Sequence, residues 1–168
     1  QGIGFLNQIF AGDETKIAGF MDDAAACMNR IGAYCQNKQI NMVIRNEYWT
    51  LMRGANIDAF IEKLDANLVS YAPDPAHLFI AGADPVAYFE KYAGQAKAVC
   101  FTDTKFEDEL KVYKSISPEF PQEGRQQRVY YDLGYGGMDF DRIYEILKKA
   151  DFDGPVVLDS KYSTDIPK

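Results

Sequence analysis

The chain has 168 residues, 47% of them hydrophobic and 26% charged, with a formal net charge of −7. That length makes one domain the default and is enough to bury a core. Lysines and arginines scattered among an excess of acids argue against a nucleic-acid partner, which needs clustered positive charge, and no apolar run approaches a bilayer-spanning helix.

The chain starts at Gln1 without a methionine and without a signal-peptide pattern, so it reads as a processed product or an excised piece. Asp13 to Gln39 predicts one long helix or two in tandem. Ile17, Phe20, Met21, Ala24, Ala25, Met28, Ile31 and Cys35 recur there at helical spacing, after acidic residues near the start. Ile40 to Trp49 predicts a buried strand, Asn56 to Asp65 a short helix and Asn67 to Asp74 a second strand. Asp84 to Gly94 predicts a helix, with Asp at the N-cap, Pro at the first helical position and Gly at the close. Ala96 to Asp103 predicts a third strand, followed by a long polar stretch without clear periodicity. Asp139 caps a helix reaching Phe152, and Pro155 to Tyr162 predicts the last strand. Cys27, Cys35 and Cys100 are odd in number and widely spaced, which is no disulfide framework; a reducing, cytoplasmic setting is the simplest reading.

Alternating helices and continuous apolar strands are the signature of a parallel sheet covered by helices. The right-handed crossover rule then predicts four parallel strands, neighbours in chain order, with helices on the outer face. An α/β barrel has eight strands and typically about 250 residues. The pattern therefore fits either a small open α/β sheet or the C-terminal half of a barrel.

In parallel α/β folds the chemistry gathers at the carboxyl ends of the strands. Here those ends carry Arg45, Asn46 and Glu47; Asp74 and His77; Cys100 and Asp103; and Asp159 and Lys161. Each has an ordinary explanation. Asp74 before Pro75 forms a turn, His77 packs, Cys100 is a small buried hydrophobe, Asp159 follows a last strand, and Glu47 pairs with Arg45 or Arg53. Four strands ending this way on one rim make the functional reading the better one.

The segment "YAPDPAHLFIAGADPVAYFEKYAGQAKAVCFTD" resembles the "D-T-x-H-L-x-x-A-G-x-D-P" and "H-V-H-L-K-D" stretches of the xylose-isomerase-like sugar isomerases and epimerases, which include inosose dehydratases and ketose epimerases. "LGYGGMDFDRIYEILKKADFDGPVVLDSKYSTD" is similar to that family's "G-x-G-x-V-D-F" loop, last helix and "G-W-I-V-V-E" strand. The resemblance implies a (β/α)₈ TIM barrel, with residues 1–168 as a single domain forming its C-terminal half, from the fourth helix to the eighth strand. It also implies a divalent metal (Mn²⁺, Zn²⁺, Mg²⁺ or Co²⁺) held by Glu, Asp, His and Glu from successive strand ends, and proton transfer alpha to a sugar carbonyl.

Carried onto this chain, Asp74 falls on the aspartate ligand and His77 on the substrate-contacting histidine. Cys100 stands for the second histidine of "H-V-H", Asp159 for the final glutamate, and the first glutamate falls near Arg45 or Asn41, with Glu47 two residues from Arg45. The implied site has Asp74, Cys100 and Asp159 on the metal, Glu47 and His77 as catalytic groups, and Arg45, His77 and Lys161 against substrate. The stretch from Thr104 to Gly137, with Lys105, Arg125, Arg128, Tyr130 and Tyr131, would cover it. The expected function is a sugar or polyol isomerase, epimerase or dehydratase with a small carbohydrate substrate. The alternative is a non-catalytic sugar-binding protein or partner subunit that has lost the metal. Open sheet edges predict a homo-oligomer or a missing barrel half.

Overall fold

Apolar periodicity translates into alternating helices and strands in the computed structural model, which describes residues 14–48, 50–107 and 129–160. In chain order the elements are α1 (Glu14–Gln36), β1 (Met42–Arg45), α2 (Ala55–Ile61), β2 (Val69–Ala72), α3 (Pro75–Ile80), α4 (Pro85–Tyr92), β3 (Val99–Phe101), α5 (Phe140–Lys149) and β4 (Val156–Leu158). No helix among the described residues is long and apolar enough to cross a membrane.

The strands are shorter than the apolar runs suggest, and the reason is local. Strand β1 stops at Arg45 because the next residues turn their polar groups elsewhere. Asn46 Oδ1 accepts from the Asp74 amide at 2.9 Å, and the Tyr48 amide donates to His77 Nδ1 at 3.4 Å. The expected turn at Asp74 is the start of α3. Asp74 caps the His77 amide at 3.3 Å, with Pro75 in the first turn, just as Asp84 caps the Val86 amide at 2.9 Å ahead of α4.

Strands β1 and β2 pair in parallel, with Met42 opposite Val69 and Arg45 opposite Ala72. Strands β3 and β4 also pair in parallel, with Val99 opposite Val156 and Phe101 opposite Leu158. The expectation of four neighbouring strands holds within each pair and fails between them: among the described residues no ladder joins β2 to β3. A serine side chain bridges the gap just ahead of β3. Ser70 Oγ donates to the Gln95 carbonyl at 3.0 Å and accepts from the Lys97 amide at 3.0 Å, so a side chain takes up backbone groups that a ladder would use.

Helix α1 lays Ile17, Met21 and Ala25 against Leu51 and Phe60. It comes so close to the start of β2 that a Cβ on Gly32 would sit 2.7 Å from the Leu68 carbonyl oxygen, which explains a glycine in mid-helix. A second core joins α4, β3 and α5 through Phe89, Val99, Ile143, Ile146 and Leu147. A third, with Ile57, Tyr71, Leu78 and Tyr92, fills the space between β2 and helices α2 to α4. Strand β2 is buried throughout, whereas Val156, Val157 and Leu158 of β4 are 45%, 51% and 63% exposed. Among the described residues β1 pairs only with β2 and β4 only with β3, so each has one free edge.

Candidate functional site

Four strands each deliver one side chain to a common point. Arg45 is the last residue of β1, Asp74 follows β2 as the cap of α3, Cys100 lies within β3, and Asp159 comes directly after β4. Asp74, Cys100 and Asp159 each present a donor atom, and these atoms lie within 4.8 Å of one another. Arg45 reaches all three. Its Nη1 donates to Asp159 Oδ2 at 2.7 Å and to Cys100 Sγ at 3.1 Å, and lies 3.6 Å from Asp74 Oδ2. The other side of the guanidinium is held by Glu47, whose Oε1 accepts from Nε at 3.2 Å and from Nη2 at 2.9 Å.

A second layer holds Asp74, which is fully buried. Thr102 Oγ1 donates to its Oδ2 at 2.8 Å. Asn46 clamps its backbone from both sides: Oδ1 accepts from the Asp74 amide, Nδ2 donates to the Asp74 carbonyl at 3.2 Å, and Tyr71 locks the amide by donating to Oδ1 at 2.8 Å. The role of Thr102 is absent from the sequence reading. A signal existed, because Thr102 is two residues past Cys100 and so shares its face in an extended segment.

Burial pushes the Asp74 carboxyl up; hydrogen bonds from Thr102 and the His77 amide, with the charge of Arg45, hold the rise to about 6. Burial and then the charge of Asp74 push the Cys100 thiol up to about 11 against the pull of Arg45, so it is a neutral thiol near pH 7. Burial works against the Arg45 charge, but bonds to Asp159 and Cys100 and the charge of Asp74 outweigh it, and the group stays above its ordinary value. The centre of the site is thus a permanent cation ringed by acceptors.

Other expected site residues are placed differently. His77 was expected to touch substrate; instead it has no exposed surface and does not join the converging donors. Its ring stacks on Tyr48 at 5.3 Å between centroids and lies 5.7 Å from that of Tyr130. With Nδ1 accepting from the Tyr48 amide, a neutral His77 carries its proton on Nε2. Asp103 serves the following loop, accepting from the Gly134 and Gly136 amides at 2.9 Å each and from Met138 at 3.2 Å. A Cβ on Gly136 would fall 2.1 Å from the Asp103 carboxylate, so this loop needs glycine there. Lys105 lies over the Tyr131 ring at 4.5 Å. Lys161, Arg125 and Arg128 lie outside the described residues. Beside Arg45 and Glu47 opens a cavity of about 360 Å³, walled by Phe20, Met28, Ile44, Met52 and Phe60.

The donor set of two carboxylates and a sulfur suits Zn²⁺ or Co²⁺ in chemistry. The space does not suit it, because Arg45 Nη1 already lies within 3.6 Å of all three donors. A divalent ion about 4 Å from the guanidinium would be repelled by on the order of 8 kcal/mol at an effective dielectric constant of ~20. With Arg45 in place, these residues do not fit a metal.

Parallel strands wrapped by helices, with polar groups on the carboxyl rim, define a portion of an α/β barrel. The chain matches the xylose isomerase-like TIM barrel family over residues 2–168 and belongs to it. It is 24% identical over 135 residues to the inosose dehydratase of Clostridium perfringens, covering 80% of this chain and 45% of the relative. To the inosose dehydratase of Clostridium beijerinckii it is 26% identical, again over 80% of this chain and 45% of the relative. The chain therefore spans about half the length of the curated relatives it matches. Among solved structures, the D-allulose 3-epimerase of Methylomonas sp. superposes with a TM-score of 0.62 at 18% identity, over 87% of this chain and 44% of that one. The probable 3-DHS dehydratase involved in petrobactin synthesis from Bacillus anthracis gives 0.57 at 20% identity, over 79% and 48%. These likenesses show the fold.

Proposed function

We propose that the rim cleft binds a small sugar or cyclic polyol bearing a carbonyl, and that the chemistry it supports is proton transfer at the carbon alpha to that carbonyl. The observation that carries this reading is the convergence of Arg45, Glu47, Asp74, Cys100 and Asp159 from four strand ends. The relatives support the substrate class, being named for inosose and D-allulose.

The hydrogen-bond inventory assigns roles. Arg45 has five N–H groups, and its hydrogen bonds to Glu47, Cys100 and Asp159 use four, leaving one on Nη2 to donate to a carbonyl oxygen. Glu47 spends only Oε1 on Arg45, so Oε2 is the acceptor for a proton leaving the alpha carbon or for a sugar hydroxyl. The second oxygen of Asp159 accepts another hydroxyl. Asp74, Thr102 and Asn46 position the ring of groups without touching ligand.

A second reading, carbohydrate binding without turnover, is supported by the burial of His77 against Tyr48, away from the converging donors. The free edges of β1 and β4 support pairing with further strands, from another copy or from the rest of a barrel.

One experiment separates the readings. Saturation-transfer NMR in D₂O with ketohexoses and inososes should show binding together with exchange of the alpha proton for deuterium. Glu47→Gln should remove the exchange and keep the binding. Binding without exchange in the unmodified protein establishes the second reading, and no binding across the panel refutes both.

A further inference from the structure

We propose that Arg45 is a built-in cation standing where a metal ion would stand, and that Asp74, Cys100 and Asp159 form its cradle rather than an ion's ligand set. Three observations carry this. Nη1 alone contacts all three donors, at 2.7, 3.1 and 3.6 Å, so the space between an ion's would-be ligands is already occupied by protein. The guanidinium is held from both sides, since Glu47 takes Nε and Nη2 on one oxygen while Asp159 and Cys100 take Nη1. A side chain bonded at both ends does not lean aside for an incoming ion at no cost. Finally, the cluster is complete by itself. Buried polar atoms need partners, and Asp74 finds them in Thr102, the His77 amide and Arg45 without any ion.

The substitution changes what the site can do. A metal ion binds two neighbouring ligand oxygens at once and is lost or gained with supply and pH. A guanidinium donates single, directed hydrogen bonds and carries its charge at every physiological pH. The ligand is then chosen by hydrogen-bond direction at Arg45 and Glu47 rather than by chelation of adjacent oxygens.

The cradle also predicts a latent metal site. Without the Arg45 side chain, two carboxylates and a sulfur remain within 4.8 Å of one another, a set that Zn²⁺ and Co²⁺ accept. The test uses metal alone, so its outcome is independent of whether any carbohydrate binds. Co²⁺ is titrated into the unmodified chain and into Arg45→Ala, following the sulfur-to-cobalt charge-transfer band in the near ultraviolet and heat release with Zn²⁺. The unmodified chain should show no band and no stoichiometric binding. Arg45→Ala should bind one ion per chain, tighter by about two orders of magnitude or more, with a band that Arg45→Ala/Cys100→Ser lacks. Arg45→Met, which keeps most of the side-chain volume, takes the place of the alanine variant if circular dichroism shows that one unfolded. Stoichiometric binding by the unmodified chain, lost in Cys100→Ser, overturns the proposal. So does a folded Arg45 variant that binds no better than the unmodified chain.

Discussion

The two sheets of this molecule are held together by different means. Within each, β1 to β2 and β3 to β4, cohesion comes from parallel backbone ladders. Between them, among the described residues, it comes from side chains: Ser70 to Gln95 and Lys97, Thr102 to Asp74, and Arg45 to Cys100 and Asp159. The sheets also differ in cover, with β2 buried at every position and β4 exposed at every position. The seam between the sheets is therefore the candidate site itself. Residues that would meet a ligand at this rim also join the two halves of the fold, so function and cohesion cannot be altered separately there.

The largest effect on that seam should come from its buried acid. Asp74 titrates near 6 in the folded chain against an ordinary 3.8. A carboxyl raised on folding adds stability that is fully present below its unfolded value and is lost as pH rises through the folded one. Compared with Asp74→Asn, which does not titrate, the unmodified chain should lose about 3 kcal/mol between pH ~3.8 and pH ~7. Urea denaturation of both proteins across that range measures it; a difference independent of pH would show that folding does not raise the Asp74 carboxyl. Next comes Ser70→Ala, which leaves the Gln95 carbonyl and the Lys97 amide without their shared hydroxyl and should cost about 1–2 kcal/mol by the same method. A value near zero would mean that the β2–β3 joint rests on packing alone. The smallest effect belongs to the uncovered strand. Val157→Lys should change the stability of a single chain by less than about 0.5 kcal/mol, because Val157 is 51% exposed. The same variant should lower concentration-dependent association in sedimentation velocity if the free edge of β4 pairs with other strands.

Much of this was legible in the order of residues. Continuous apolar runs ending in Arg45, Asp74, Cys100 and Asp159 announced parallel strands with a polar rim, because such strands place their carboxyl ends together. The helix after Asp74 was legible too, since Asp-Pro opens α3 as it opens α4, yet Asp74 before Pro75 reads as a turn. What sequence could not show depends on one side chain meeting another far away. The bridge from β2 to the residues ahead of β3 turns on where the Ser70 hydroxyl points. The seat of Arg45 turns on three partners at distant positions, and no spacing rule reports that a guanidinium fills the point between them. His77 was legible both as a packing residue and as a substrate contact; in the fold its ring stacks on Tyr48 and neighbours Tyr130.

The bond from Arg45 to Asp159 spans 114 positions, whereas Thr102 and Asp74 are 28 apart. Closing the longer loop costs about 1 kcal/mol more chain entropy than the shorter, which favours forming the shorter contact first. Interactions made late lie on the native side of the folding barrier, where they slow unfolding far more than they speed folding. If the guanidinium contact at the rim forms late, Arg45→Met should speed unfolding more than it slows folding, which stopped-flow unfolding and refolding rates would show.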